Sequence, residues 1–91
     1  MTIGYERSPD AYAVEMDGEY VMMGQEQGAY FALKGVAAVV WEQLESPQTL
    51  DELVNAVVDR FEVSRKDCER DTSAFLAQLL ESGLIIGTRE K

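Results

Sequence analysis

The chain has 91 residues, 46% of them hydrophobic, with 17 acidic side chains against 8 basic ones and a formal charge of -9. That length suits one domain with a small core, and that charge repels phosphate backbones and anionic lipid, which argues against nucleic acid and membrane surfaces as partners. A single cysteine rules out an internal disulfide, and with neither a basic n-region nor a long apolar run the protein is expected in the cytoplasm.

Residues 1–10 carry Pro9 and show no sustained period, so they read as a tail or a loosely pinned lead-in. Residues 11–87 read as the folded domain and 88–91 as a short C-terminal tail. Tyr12, Val14 and Met16 alternate with Ala13 and Glu15, Asp17-Gly18 supplies a hairpin signal that needs positive φ, and residues 19–23 resume an extended run. A polar stretch over residues 24–28, bounded by Gly24 and Gly28, predicts a second turn into a third strand over residues 29–33. The result is a three-stranded antiparallel meander. If Val14, Val21 and Phe31 face the helices, then Tyr20, Met22 and Tyr30 lie on the opposite face, where either the N-terminal tail, a bend in the sheet or a partner must cover them.

The period then changes. Leu33, Val36, Ala37, Val40, Trp41 and Leu44 recur at the spacing of one helical face, so strand turns into helix near Lys34 and Gly35. This first helix is predicted over residues 34–45 and stops at Ser46-Pro47, because a residue before proline is pushed out of the α region. Thr49 and Glu52 form a capping box for a second helix with the stripe Leu50, Leu53, Val54, Val57, Val58 and Phe61. Ser64 and Asp67 repeat the signal for a third, with Val63 placed to pack on Cys68 as a hydrophobic staple. Cys68, Phe75, Leu76, Leu79 and Leu80 line its inner face, Ser82-Gly83 ends it, and residues 84–86 lie back on the core. The fold class is therefore α+β and winged-helix-like, a three-stranded antiparallel meander followed by three helices.

Chemistry is scarce along this chain. There is no histidine, hence no ready base near neutral pH and no imidazole metal ligand, and Cys68 on an apolar face reads as a buried hydrophobe rather than a nucleophile. Acidic residues fall at helical spacing from basic ones, as Glu62 does from Arg65 and Lys66, which suits solvated faces. No glycine-rich phosphate loop is present. The sequence predicts a protein that is not an enzyme and needs neither metal nor cofactor. A winged-helix transcriptional regulator shares the element content, but its recognition helix would carry Arg65, Lys66 and Arg70 against Asp67, Glu69, Asp71 and Glu81, a net negative face.

The residues do support a family resemblance. Tyr30-Phe31-Ala32-Leu33, then Val36, Val40, Trp41 and Leu44, then Ser46-Pro47-Gln48-Thr49-Leu50-Asp51-Glu52-Leu53, then Phe61-Glu62-Val63, then the run from Cys68 to Leu76, and last Leu79-Leu80 and Gly83-Leu84-Ile85 resemble, in order and spacing, the PqqD-like recognition elements for precursors of ribosomally synthesised, modified peptides. The run Glu69-Arg70-Asp71 ahead of Phe75-Leu76 is most like the standalone lasso-peptide biosynthesis proteins. Lys34-Gly35 departs from the polar helix cap of many relatives.

That resemblance implies a non-catalytic protein that binds the leader region of a precursor peptide as an added strand and presents it to a leader peptidase and an ATP-dependent cyclase. Its alternative within the family is a peptide chaperone for pyrroloquinoline quinone or another radical-enzyme pathway. The implied site is the edge of the third strand, Ala29, Tyr30, Phe31, Ala32 and Leu33, together with a wall from the third helix. Position on that helix assigns Asp71, Phe75 and Gln78 to the wall, with ordinary core as the competing reading for Phe75 and a plain solvated carboxylate for Asp71.

Overall fold

The computed structural model describes residues 2–23 and 30–90; the turn expected over residues 24–28 and Ala29 lie outside them. In chain order the elements are Thr2–Arg7 (β1), Ala13–Met16 (β2), Glu19–Met23 (β3), Tyr30–Leu33 (β4), Val36–Gln43 (α1), Gln48–Thr49 (β5), Leu50–Arg60 (α2), Arg65–Glu81 (α3) and Ile85–Glu90 (β6). The fold is α+β, as the sequence predicts, but with two three-stranded antiparallel sheets, ordered β5-β1-β6 and β2-β3-β4.

The first sheet corrects the reading of both ends as tails. Thr2–Arg7 pairs along its length with Ile85–Glu90, from Thr2 opposite Glu90 to Arg7 opposite Ile85, and β5 flanks β1 at Gly4 and Tyr5. Further bonds pin the lead-in: the Arg7 amide donates to the Leu44 carbonyl at 3.2 Å and the Ser8 amide to the Leu84 carbonyl at 2.9 Å. Arg7 Nε and Nη2 also donate to the Trp41 carbonyl at 3.1 and 2.7 Å, with the guanidinium 4.7 Å from the Trp41 ring centroid. Pairing between opposite ends of a chain leaves no local period to read.

The second sheet is the expected meander. Asp17 and Gly18 both take positive φ, 54° and 81°, and close the β2–β3 hairpin between Met16 and Glu19. Its faces differ from expectation on two strands. Tyr20 lies opposite Leu33 and Met22 opposite Phe31, and these four make the inner face, with Met22 and Leu33 buried. Val14 and Val21 instead face outward with Tyr12, Met16 and Tyr30, all exposed. Tyr20, Val21 and Met22 are consecutive apolar residues, so alternation in β3 carries no phase; pairing to β4 supplies it.

The helices follow their sequence signals closely. α1 is two residues shorter at each end than expected and is buried at Ala38 and Val39 as well as at Val40 and Trp41, because it lies at the centre of the core. The capping box of α2 is complete, Glu52 Oε1 accepting from the Thr49 amide at 2.8 Å and Thr49 Oγ1 from the Glu52 amide at 3.2 Å. At α3 the cap is one-sided, with Ser64 Oγ accepting from the Asp67 amide. Gly83, at φ 75°, donates to the Leu80 carbonyl while Leu84 donates to Leu79, the two bonds of a Schellman stop. Val63 is exposed, and Leu80, expected on the inner face, is 40% exposed while Thr72 is buried.

Candidate functional site

β4 is an edge strand. Its pairing runs from Tyr30 opposite Met23 to Leu33 opposite Tyr20, all of it to β3, and among the described residues no strand pairs with its other side. The N-terminal segment, a candidate to cover it, is engaged with β6 and β5. An uncovered edge presents a row of backbone donors and acceptors to any extended peptide.

Past Leu33 the chain turns through Gly35, whose φ of 62° and ψ of -129° begin α1 with no side-chain cap. Such a conformation favours glycine, which accounts for Lys34-Gly35 where a polar cap was the alternative. Beyond that turn a hollow of about 230 Å³ opens between α1 and α3, lined by Val36, Ala37, Val40, Asp71, Thr72 and Phe75. Four of its six lining side chains are hydrocarbon. An apolar side chain of a guest would lose water there, gaining about 1.5–3 kcal/mol when fully buried.

The residues singled out from sequence divide over this geometry. Tyr30 is 70% exposed and, with Ala32, turns outward, whereas Phe31 packs partly buried on the core and Leu33 is buried in it. Asp71 and Phe75 line the hollow, and Phe75 is also partly buried against the core. Gln78 is exposed and does not line the hollow. Asp71 is not a lone carboxylate, since Arg70 sits 3.3 Å from it and 3.4 Å from Asp67. Val36, Ala37, Val40 and Thr72 are lining residues that sequence reasoning left in the core or passed over. Thr72, four residues after Cys68, occupies a position on the inner face that a purely apolar count skips.

Other chemistry is thin here. Cys68 is buried, its sulfur 3.7 Å from Thr72 Oγ1, and among the described residues no group of histidine, cysteine or carboxylate side chains is placed to hold a metal ion. What the site offers is main chain, hydrocarbon and a few carboxylates. Main chain at a strand edge can pair with an extended peptide, and hydrocarbon beside it can take up an apolar side chain.

A family model described as Coenzyme PQQ synthesis protein D (PqqD) matches residues 19–85, from β3 through the first residue of β6. The chain belongs to the PqqD family. Among curated proteins none matches it. Two solved structures are similar to this PqqD-family chain. One, described as TbiB1 in complex with the TbiA(beta) leader peptide, is 29% identical with a TM-score of 0.80, covering 93% of this chain and 99% of that one. The other, a lasso peptide synthetase B1 complexed with the leader peptide, is 25% identical with a TM-score of 0.72, covering 90% and 96%. The family match leaves out β1, β2 and all but the first residue of β6.

Proposed function

We propose that this chain captures the leader segment of a ribosomally made precursor as a strand added to β4, without catalysing a reaction itself, and presents it to a leader peptidase and a cyclase in lasso-peptide biosynthesis. The observation that carries the reading is the edge of β4, unpaired among the described residues, running into an apolar hollow. Similarity over nine-tenths of the chain to two leader-bound B1 proteins supports it. Tyr30, Phe31, Ala32 and Leu33, continued by Ala29, would supply backbone groups, and Asp71 and Phe75 the facing wall. Gln78 is the peripheral member of that set.

Presentation is supported by the outward face of the same sheet. Tyr12, Val14, Met16, Val21 and Tyr30 expose a run of apolar surface that an added strand would extend, the kind of surface a processing enzyme covers. No helix among the described residues is long and apolar enough to cross a membrane. Backbone bonds at about 0.5–1.5 kcal/mol each and one or two apolar anchors, less a few kcal/mol for ordering the guest, give a dissociation constant between roughly micromolar and nanomolar. The family description itself favours a second reading, the same capture serving pyrroloquinoline quinone assembly. Titrating the protein with leaders of both precursor classes separates the two.

The decisive test uses proline on β4. In antiparallel pairing successive amides alternate between the partner strand and the far edge, so of Phe31→Pro and Ala32→Pro one removes a donor to β3 and the other a donor to the guest. The guest-facing substitution should lower leader affinity at least about a hundredfold, read by fluorescence anisotropy, with the helical circular dichroism of wild type. If both variants keep wild-type affinity, β4 is not where the peptide binds.

A further inference from the structure

We propose that a second hollow, at the N-terminal end of α3, is a subsite for one basic side chain of the guest, a lysine or arginine flanking the segment that pairs with β4. This rests on the leader-binding reading above and adds a specificity to it. The hollow measures about 480 Å³ and shares Val36, Asp71 and Thr72 with the α1–α3 hollow, so the two form one trough along α3. A guest continuing past the Leu33 end of β4 meets Val36, where both begin.

The lining has two parts. Val57 and Thr72 are buried, and the Thr72 hydroxyl, 3% of that residue being exposed, has as its one hydrogen-bonding contact among the described residues the Cys68 sulfur at 3.7 Å. Sulfur is a weak partner, so Thr72, one of the lining residues, keeps spare acceptor capacity on its hydroxyl. The exposed part carries Glu62, Asp67 and Asp71 with Arg70 as its cation. Arg70 is divided between Asp67 and Asp71, at 3.4 and 3.3 Å. The pairing of Glu62 with Arg65 or Lys66 expected from sequence spacing is not seen among the described residues; Arg65 turns instead to Asn55, Asp51 and Glu69. Three carboxylates and one guanidinium therefore line a cavity whose other lining includes Val36, Val57 and Val63.

Few side chains satisfy both parts. A lysine or arginine lays its alkyl stem on Val36 and Val57 and brings N–H donors to Thr72 Oγ1 and the surplus carboxylates. An aliphatic guest residue would cover the carboxylates and the hydroxyl without pairing them, and an acidic one would be repelled. The subsite thus reads charge where the α1–α3 hollow reads shape.

The probe is a phage-displayed library of random peptides long enough to span β4 and the trough, selected on wild type and on a Glu62→Gln/Asp67→Asn double variant, both surface positions away from the core. Wild type should enrich lysine or arginine at a fixed spacing from apolar anchors, and the double variant should keep the anchors and lose the basic position. Replacing that basic residue by norleucine in one selected peptide should weaken wild-type binding about tenfold and binding to the double variant less than about threefold. Selected peptides with anchors but no basic position, or an equal loss on both proteins, would overturn the subsite and leave leader capture standing. If the same peptides bind equally to both β4 proline variants, the edge reading fails, and the subsite fails with it.

Discussion

The two sheets have the same number of strands and are built in opposite ways. In β5-β1-β6 the middle strand comes from the start of the chain and its long partner from the end, so pairing closes the molecule on itself and ties β1 to the helices through Arg7 and Trp41. In β2-β3-β4 all three strands are neighbours in sequence and the last stops at an edge, with an apolar outer face and a trough beginning just past it. Edge character alone does not single out β4, because β6 is an edge strand too. What does is the succession of open main chain, a glycine turn and a hollow in consecutive residues. With the function proposed above, the difference puts stability in the first sheet and the helical core, and recognition along β4 and the face of α3 that lines the hollow.

The sharpest break of that division lies on one helix. Leu79 is wholly buried and Phe75, one turn back, is partly buried at the hollow. Leu79→Ala should cost about 2–5 kcal/mol in urea denaturation, a large share of a domain stability of roughly 5–15 kcal/mol, while the folded protein keeps wild-type leader affinity. Phe75→Ala should cost less stability and weaken leader binding about tenfold or more. Equal changes in both quantities for both variants would mean that the hollow has no function apart from the core. Arg7→Ala sits on the other side of the division. It removes two bonds to the Trp41 carbonyl and a guanidinium over the indole, and should lower stability by about 1–3 kcal/mol with leader affinity unchanged.

The same division marks what could be read from the sequence. Elements specified by signals a few residues apart came through: the Asp17-Gly18 hairpin, the Thr49–Glu52 box, the Ser82-Gly83 stop and the face of α2. β1 and the outer part of β6 did not, because Ile3 and Tyr5 become strand residues only on pairing with Arg89 and Gly87 at the far end of the chain. Phase in the second sheet failed for a related reason, since four apolar residues in a row from Tyr20 to Met23 allow either face until Leu33 and Phe31 choose one. Around the hollow, Phe75 and Asp71 could be placed at the margin of a helical face, and both line it. Thr72 could not, because a hydroxyl on a buried face carries no periodic signal, and Val36 looks like any first-turn core residue until the cavity beside it is seen.

The smallest expected effect is at Tyr20, where the sheets approach each other, since its side chain lies with Arg7 of β1 and Glu42 of α1 around one cleft. Burial first, then the Glu42 and Glu15 carboxylates, push its hydroxyl above the ordinary value of 10.0, with Arg7 acting in the opposite direction. A phenol harder to ionise in the folded state favours folding fully below the unfolded pKa, and that contribution is lost as pH rises through the raised folded value, where the unfolded chain has already given up its proton. Stability of the wild type should therefore fall as pH climbs past about 10, and Tyr20→Phe should flatten part of that alkaline limb in urea midpoints taken at stepped pH. Leader affinity near neutral pH should not change with the substitution, because Tyr20 faces the core and not the open side of β4. A Tyr20→Phe protein whose alkaline limb matches wild type, or whose leader affinity drops at neutral pH, would move this residue from the closed half of the molecule to the open one.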